Sequence, residues 1–297
     1  MLLAATFWYI YYKVTQTNAQ TLAAFLNAIQ LKNGFSILVF VVLAGANQFF
    51  EVLKWKTLVS KIESISFKTA LQQSLASLTI SMSTPNRIGE YGAKALYFPK
   101  HQRKQVLLLN FFGNIAQLLA TFFFGIVGTL YVVQRYGIEI STTKLVLLLV
   151  VLLGVGTLGY YFKEKQLLLK GLSIAKVMKY ISNIEGVRKL KVMLYALLRY
   201  VTFSCLFYLL LTFFGAKLPI FDAFLLIFAM YLLVSILPSI FIFDVILRGG
   251  VAVWLFTLAG VPELSILCTV LAMWLLNFVL PSLFGSYYVV TYKPVAA

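Results

Sequence analysis

Charged residues are scarce in this chain. They make up 11% of its 297 residues, against about 25% in an average soluble domain. Too few are present to coat a water-facing surface, which excludes a cytosolic globular protein, a disordered chain and a nucleic-acid binder with a basic face. Histidine is represented by His101 alone, so a Ser-His-Asp triad or a histidine-based metal site has no material to work with. The nine carboxylates form no cluster at metal-ligand spacing, and there is no phosphate-cradling Walker loop. No cofactor is expected, and ATP is not the direct energy source. Cys205 and Cys268 both fall within apolar runs, which marks them as small apolar residues rather than ligands or disulfide partners.

What the chain has instead is apolar length. Hydrophobic residues make up 61% of it, in continuous runs rather than the ten-residue alternation of a β-barrel. The fold class is therefore all-α, a polytopic integral membrane protein forming one transmembrane domain over residues 1–297. Simple spans are predicted at Phe35–Leu53, Gln105–Val133, Leu145–Phe162, Val192–Phe214 and Leu264–Val290, each near or above the roughly 20 residues needed to cross hydrocarbon. Met1–Tyr12 is apolar but covers only about 18 Å as a helix, so a clipped first helix is expected there. Two further regions are apolar but interrupted: Thr69–Phe98, by Pro85 and Gly89, and Pro219–Phe256, by Pro238, Gly249 and Gly250.

The net charge is +16. In a membrane protein such an excess marks cytoplasmic loops and contact with anionic headgroups. If each interrupted region enters the membrane and returns to the same side, the loop cations sort cleanly. Lys54, Lys56, Lys61, Lys68, Lys100, Arg103, Lys104, Lys293 and the eight cations of residues 163–191 lie inside. Only Lys13, Lys32, Arg135, Lys144 and Lys217 lie outside, and Arg87, Lys94, Arg199 and Arg248 fall at membrane depth. A single crossing at the first interruption would break this asymmetry. The arrangement is an inverted repeat with two broken-helix hairpins, approximate halves 1–162 and 163–297, and a cytoplasmic C-terminus. Broken helices at matching places in two inverted halves point to a midplane site. Within 167–184, Ile174, Val177, Met178, Ile181 and Ile184 recur at helical spacing, which predicts an amphipathic helix on the inner surface.

The first hairpin carries Ser83-Thr84-Pro85-Asn86-Arg87-Ile88-Gly89-Glu90-Tyr91-Gly92-Ala93-Lys94. Proline and glycine free backbone groups that lipid cannot satisfy, so such a segment must be buried in protein or lie against water. Glu90 sits three residues after Arg87 and four before Lys94, so these charges share a helical face. A guanidinium beside free backbone N–H groups suits a phosphate. In the second hairpin Asp244 and Arg248 are four apart, and read either as a self-neutralising pair or as a second phosphate contact. Asn110, Asn114 and Gln117 form a polar stripe suited to interhelical hydrogen bonds or to lining a headgroup path. Asn47, Gln48 and Glu51 carry the same two readings, and Arg199 is placed to snorkel to the inner headgroups. Gly154-Val155-Gly156-Thr157-Leu158-Gly159 spells a dinucleotide fingerprint, but it lies in an apolar span and suits close helix packing.

Pro85-x-Arg87-x-Gly89-Glu90, followed about 150 residues later by a second hairpin with Pro238, Asp244 and Arg248, resembles the lysylphosphatidylglycerol synthase transmembrane (flippase-like) family. The resemblance covers most of the chain. It implies a bacterial-type inner (cell) membrane and a role in moving or presenting lipid, without implying aminoacyl transfer. The second motif departs from the family's, with Gly249 after Arg248 where the family often has Glu. The expected function is lipid transport without catalysis: an anionic lipid or polyprenyl phosphate bound at a midplane site and moved between leaflets. The expected substrate-binding residues are Arg87, Glu90, Lys94, Asp244, Arg248, Asn110 and Asn114. Two alternatives stand beside it, an intramembrane transferase using Glu90 or Asp244 as base, and a non-catalytic partner of a separate lipid-modifying enzyme. A homo-oligomer is the other assembly weighed.

Overall fold

The computed structural model describes residues 34–82, 84, 88–138, 154, 157–158, 160–165, 173–237 and 243–292. Met1–Tyr12, most of Leu145–Phe162, and Pro85, Arg87 and Pro238 lie outside them, as does the side chain of Asp244. The described residues form α1 (Gly34–Val59), α2 (Phe67–Met82), α3 (Gly89–Leu96), α4 (Arg103–Tyr136), α5 (Ile174–Ser182), α6 (Gly186–Phe213), α7 (Ile220–Ile236), α8 (Phe243–Leu258) and α9 (Glu263–Trp274). A π-helical turn (Leu275–Val279) and α10 (Leu280–Val290) continue α9 as one column. Four elements are long and apolar enough to span a membrane: α1, α4, α6 and the α9–α10 column. At 1.5 Å per residue α4 is about 51 Å long, well beyond a hydrocarbon core of about 30 Å.

Local signals set the ends. Pro219 and Pro262 precede α7 and α9, where a missing N–H is harmless. Gly137 closes α4 in the left-handed region, with φ 59° and its N–H on the Val133 carbonyl. Ser173 caps α5, its hydroxyl accepting from the Lys176 N–H. The amphipathic helix is thus shorter than 167–184, although Ile184 beyond its end is buried. The interrupted regions are the helical hairpins α2–α3 and α7–α8. Gly249 and Gly250 correct one expectation: they lie inside the continuous helix α8 and break nothing, the break falling before Phe243. Gly89 does mark a break, as the first residue of α3. Its N–H donates to the Thr84 hydroxyl at 2.8 Å, and a Cβ there would run into the Thr84 side chain.

The packing has a regular pattern. α1 packs on α6, and the two run antiparallel: Phe40 meets the Phe213 ring at 5.3 Å at one end, and Lys61 reaches the Asn183 carbonyl at 3.2 Å at the other. Most other helix pairings of residues 34–136 have a counterpart in 186–290, the packing of α4 on α5 being an exception. α2 packs on α10 as α7 packs on α4, α3 on α4 as α8 on α9, α1 on α4 as α6 on α9, and the π turn on α1 as α4 on α6. Close approach at Gly125 and Gly128 of α4 seats α7, and Gly285 of α10 seats α2. Of the Gly154–Gly159 stretch, Gly156 and Gly159 lie outside the described residues, and a Cβ on Gly154 would meet nothing within 4 Å.

Two apolar clusters divide the interior. One joins Trp55, Leu58, Phe98, Leu109, Ile184 and Val192 near the α1–α2 turn. The other joins Phe40, Tyr200, Phe207, Leu226 and Phe256. The outside is also apolar: Phe123, Leu283 and Phe284 are each over 60% exposed, a surface suited to lipid tails and not to water. Cations gather at the Trp55 end, where Lys61, Lys179, Arg188 and Lys189 surround the α5–α6 turn. Burial, and then the nearby Arg188 and Lys189, push the Lys61 ammonium below its usual value. Tyr292 donates to the Leu96 carbonyl at 2.7 Å, so the end of the column lies beside the α3–α4 loop, which holds Lys100.

Candidate functional site

Between the two apolar clusters lies a polar layer. Along α1 it falls after Ala44 and before Val52; along α6, between Ala196 and Tyr200. Its centre is Glu51, which receives three cations: Lys54 at 2.7 Å, Lys94 at 3.4 Å, and Arg199 through a close ion pair. Lys94 is 1% exposed and also donates to Glu90 at 2.7 Å and to the Asn110 side chain at 2.9 Å, with the Trp55 ring 4.6 Å away. Three cations against two carboxylates leave the cluster positive. Bare charges this deep would be prohibitive, so the pairing is what makes the layer tolerable.

The layer extends beyond the ion pairs. Arg199 Nε donates to Asn47 Oδ1 at 3.2 Å, and Asn47 Nδ2 donates to Asn277 Oδ1 at 2.9 Å. The Asn277 backbone carbonyl accepts from Gln48 Nε2, also at 2.9 Å. The cause is readable in the chain. Pro281 lies four residues after Asn277 and has no N–H to offer that carbonyl. The helix widens into the π turn, and a side chain from α1 takes the freed acceptor. Gln48→Leu is expected to lower stability by about 1–2 kcal/mol by leaving this carbonyl alone, read as a fall in melting temperature of the detergent-solubilised protein, with Gln48→Glu failing to restore it.

A cavity of about 530 Å³ opens on this layer. Both hairpins contribute to it, α2–α3 through Ser74, Glu90 and Tyr91, and α7–α8 through Tyr231 and Arg248; Arg199 and Asn277 complete its polar wall. Arg248 stands 6.0 Å from the centre of the Phe278 ring. The volume falls in the range of about 300–1,000 Å³ typical of small-ligand sites. Among the described residues, no group of three or more His, Cys, Asp or Glu could hold a metal ion.

Of the residues singled out in the sequence, Glu90, Asn114 and Arg248 line the cavity, and Lys94 and Asn110 are buried directly behind Glu90. The polar stripe on α4 makes interhelical hydrogen bonds: Asn110 accepts from Lys94, and Asn114 Nδ2 donates to the Tyr91 hydroxyl at 2.9 Å. Two placements are corrected. Lys54 is not in a cytoplasmic loop, because α1 continues to Val59 and the side chain is buried on Glu51. Arg199 does not snorkel outward; the Glu51 carboxylate turns it inward. Glu51–Lys54 and Asn277–Pro281 are the features the sequence reading passed over, although an acid and a base three apart in an apolar helix, and a proline four after a buried Asn, are both visible signals. Neither a family model, nor a curated protein, nor a solved structure matches this chain.

Proposed function

We propose that the protein is an inverted-repeat lipid transporter that holds an anionic lipid headgroup in the central cavity and moves it between leaflets. The observation that carries this reading is the cavity: a polar chamber with Arg199 and Arg248 beside Glu51 and Glu90 on its wall, lined by both hairpins, inside an otherwise apolar helical body. The repeat is supported by the packing. A two-fold operation that exchanges the antiparallel helices α1 and α6 must have its axis across them; if those helices cross the bilayer, the axis lies in the membrane plane. Matched hairpins in inverted halves then meet at mid-depth. The cations at the α1–α2 and α5–α6 turns support a cytoplasmic side for that end, and with it the cytoplasmic C-terminus read from the sequence. Arg199 and Arg248 suit a phosphate because a guanidinium offers two parallel donors. Arg87 enters the proposal from its sequence position, as does kinship with the lysylphosphatidylglycerol synthase transmembrane family, which rests on Pro85, Arg87, Gly89 and Glu90.

Lipid movement in proteoliposomes tests the reading. Phosphatidylcholine vesicles carrying tail-labelled phosphatidylglycerol are treated with a membrane-impermeant quencher, and the inner-leaflet signal is followed. The wild-type protein should expose that pool. Arg87→Ala combined with Arg248→Ala should slow the process at least about tenfold, the loss expected when a charged phosphate contact goes. An unchanged rate in the double variant sinks the assignment of these residues, and a wild-type protein that moves no lipid sinks the function.

A further inference from the structure

The α5–α6 corner, outside the cavity, gathers more positive charge than its own structure uses. Residues 179–191 carry four cations and one carboxylate, Glu185, and Lys61 adds a fifth cation from the end of α1. Lys61 donates to the Asn183 carbonyl at 3.2 Å and lies 4.2 Å from the centre of the Tyr180 ring. Lys189 donates to the Ser182 carbonyl at 2.9 Å. These two lysines close the end of α5, where free carbonyls and the helix dipole favour positive charge. Arg188 and Lys191 stand beside that closure, Arg188 with the exposed Glu185 at 3.6 Å. Arg188 and Lys189 help hold the Lys61 ammonium below its usual value, with Glu185 opposing them, so the corner as it stands is short of negative charge.

The length of α6 sets the depth of this corner. Its 28 residues make about 42 Å, against a hydrocarbon core of about 30 Å. Its cations are Arg188, Lys189 and Lys191 near its start, and Arg199, which is turned inward onto Glu51. The surplus length therefore falls at the start and puts residues 186–191 at headgroup level. Two of them are apolar and open: Val187 and Leu190 are 68% and 71% exposed. With Leu194, Leu197 and Val201, also exposed, they form one stripe at alternating steps of three and four residues. At 100° per residue Lys191 falls within this stripe and Arg188 at its edge. An open apolar track that climbs out of the hydrocarbon and ends at two cations has the outline of a phospholipid, acyl chain below and phosphate above. The excess of cations over Glu185 selects a headgroup of net negative charge.

We propose that the α5–α6 corner docks an anionic phospholipid of the adjoining leaflet, with its phosphate on Arg188 and Lys191, the charges of Lys61 and Lys189 behind it, and an acyl chain along Leu190, Leu194, Leu197 and Val201. The site is separate from the central cavity and stands whether or not the protein moves lipid.

The test uses the full chain carrying Leu194→Trp, in phosphatidylcholine vesicles that contain a small fraction of tail-brominated phosphatidylglycerol or of tail-brominated phosphatidylcholine. Quenching of the added tryptophan, read as the difference from the chain without it, reports which lipid lies on the stripe. Phosphatidylglycerol should be preferred at least about tenfold, the preference that two surface cations provide. Arg188→Gln combined with Lys191→Gln should bring the preference close to unity while leaving Lys61 and Lys189 on their carbonyls. Should that variant not fold, salt at about 1 M, where the screening length falls to about 3 Å, should remove the preference in the Leu194→Trp protein itself. Arg87→Ala combined with Arg248→Ala should leave it intact. Equal quenching by the two lipids would overturn the site, and a preference that survives either the double glutamine variant or high salt would overturn the phosphate contact. Loss of the preference in the Arg87→Ala, Arg248→Ala protein would assign the lipid to the cavity instead of the corner. Its loss on adding inorganic phosphate at constant ionic strength would overturn a lipid as the occupant.

Discussion

Replacing Glu51 with Ala should lower the stability of the folded protein by about 3–5 kcal/mol, the range for breaking a buried ion pair by removing one partner. The case here is stronger than a single pair, because Glu51 is the carboxylate shared by Lys54, Lys94 and Arg199. Lys94 keeps Glu90 and Asn110. Lys54 is 2% exposed, and Glu51 is the only carboxylate given to it as an ion-pair partner among the described residues. Its charge would be left facing two other cations in an apolar surround. The melting temperature in detergent should fall by something on the order of 10 °C. Glu51→Gln should fall nearly as far, since it keeps the shape and removes the charge. Adding Lys54→Met to Glu51→Ala should recover part of the loss, because it removes the stranded charge and leaves an apolar chain of similar length. A defect caused by lost packing would show no such recovery, and a Glu51→Ala protein melting within a degree or two of wild type would mean that these cations are not held inside.

The same cluster shows what could and could not be read from the chain alone. Helix spacing within one segment was legible: Glu90 and Lys94, four apart, do meet. The apolar runs marked all four long helices, although each helix overruns its apolar stretch into polar sequence, as α1 does by six residues, through Lys54 and Lys56. The interrupted regions were legible as hairpins because proline and glycine cannot continue a helix without consequence. Yet Gly249 and Gly250 were misread, since glycine only weakens a helix by about 1 kcal/mol and the packing of α8 on α7 and α9 outweighs that. The direction of Arg199 was not legible at all. Whether a cation at membrane depth turns outward or inward depends on a partner 148 positions away, and nothing in the spacing of either segment announces it.

The polar layer also explains why a proline sits in the middle of a long apolar column. Pro281 forces a widened turn, and the widened turn presents the Asn277 carbonyl sideways to α1 while its side chain meets Asn47. The counterpart helix α4 is continuous α-helix from Arg103 to Tyr136, with no π turn. The two halves thus share their packing but not their middles. On the reading of a transporter, this asymmetry gives the α9–α10 column a place to bend that α4 lacks, and the hydrogen-bonded path Glu51–Arg199–Asn47–Asn277 links that bend to the cavity.

Gly128→Leu and Gly285→Leu should each destabilise the fold by about 3 kcal/mol, the upper part of the range for overpacking. A Cβ on Gly128 would overlap the Leu225 carbonyl oxygen and the Ala229 nitrogen; one on Gly285 would overlap the Leu75 carbonyl oxygen and the Thr79 hydroxyl. In both cases the obstacle is mainly backbone, which cannot step aside as a side chain can. Thr79 is further tied to the opposite column, its hydroxyl bonding the Leu75 and Ser282 carbonyls. Gly45 and Gly92 are the controls, because nothing lies within 4 Å of a Cβ at either; Ala there should change little, or stabilise through better helix propensity. The two damaging sites lie on separate interfaces, α4 on α7 and α10 on α2, so a double variant should lose close to the sum of the single losses. Since membrane helices have no hydrophobic drive toward one another and associate through such close packing, each change should also loosen its hairpin. That would be read as faster labelling of a cysteine introduced at Ser74, or at Tyr231, in the variant whose seating glycine has been filled. Labelling and melting temperatures unchanged by both leucines would show that the hairpin arms do not pack where the glycines now let them.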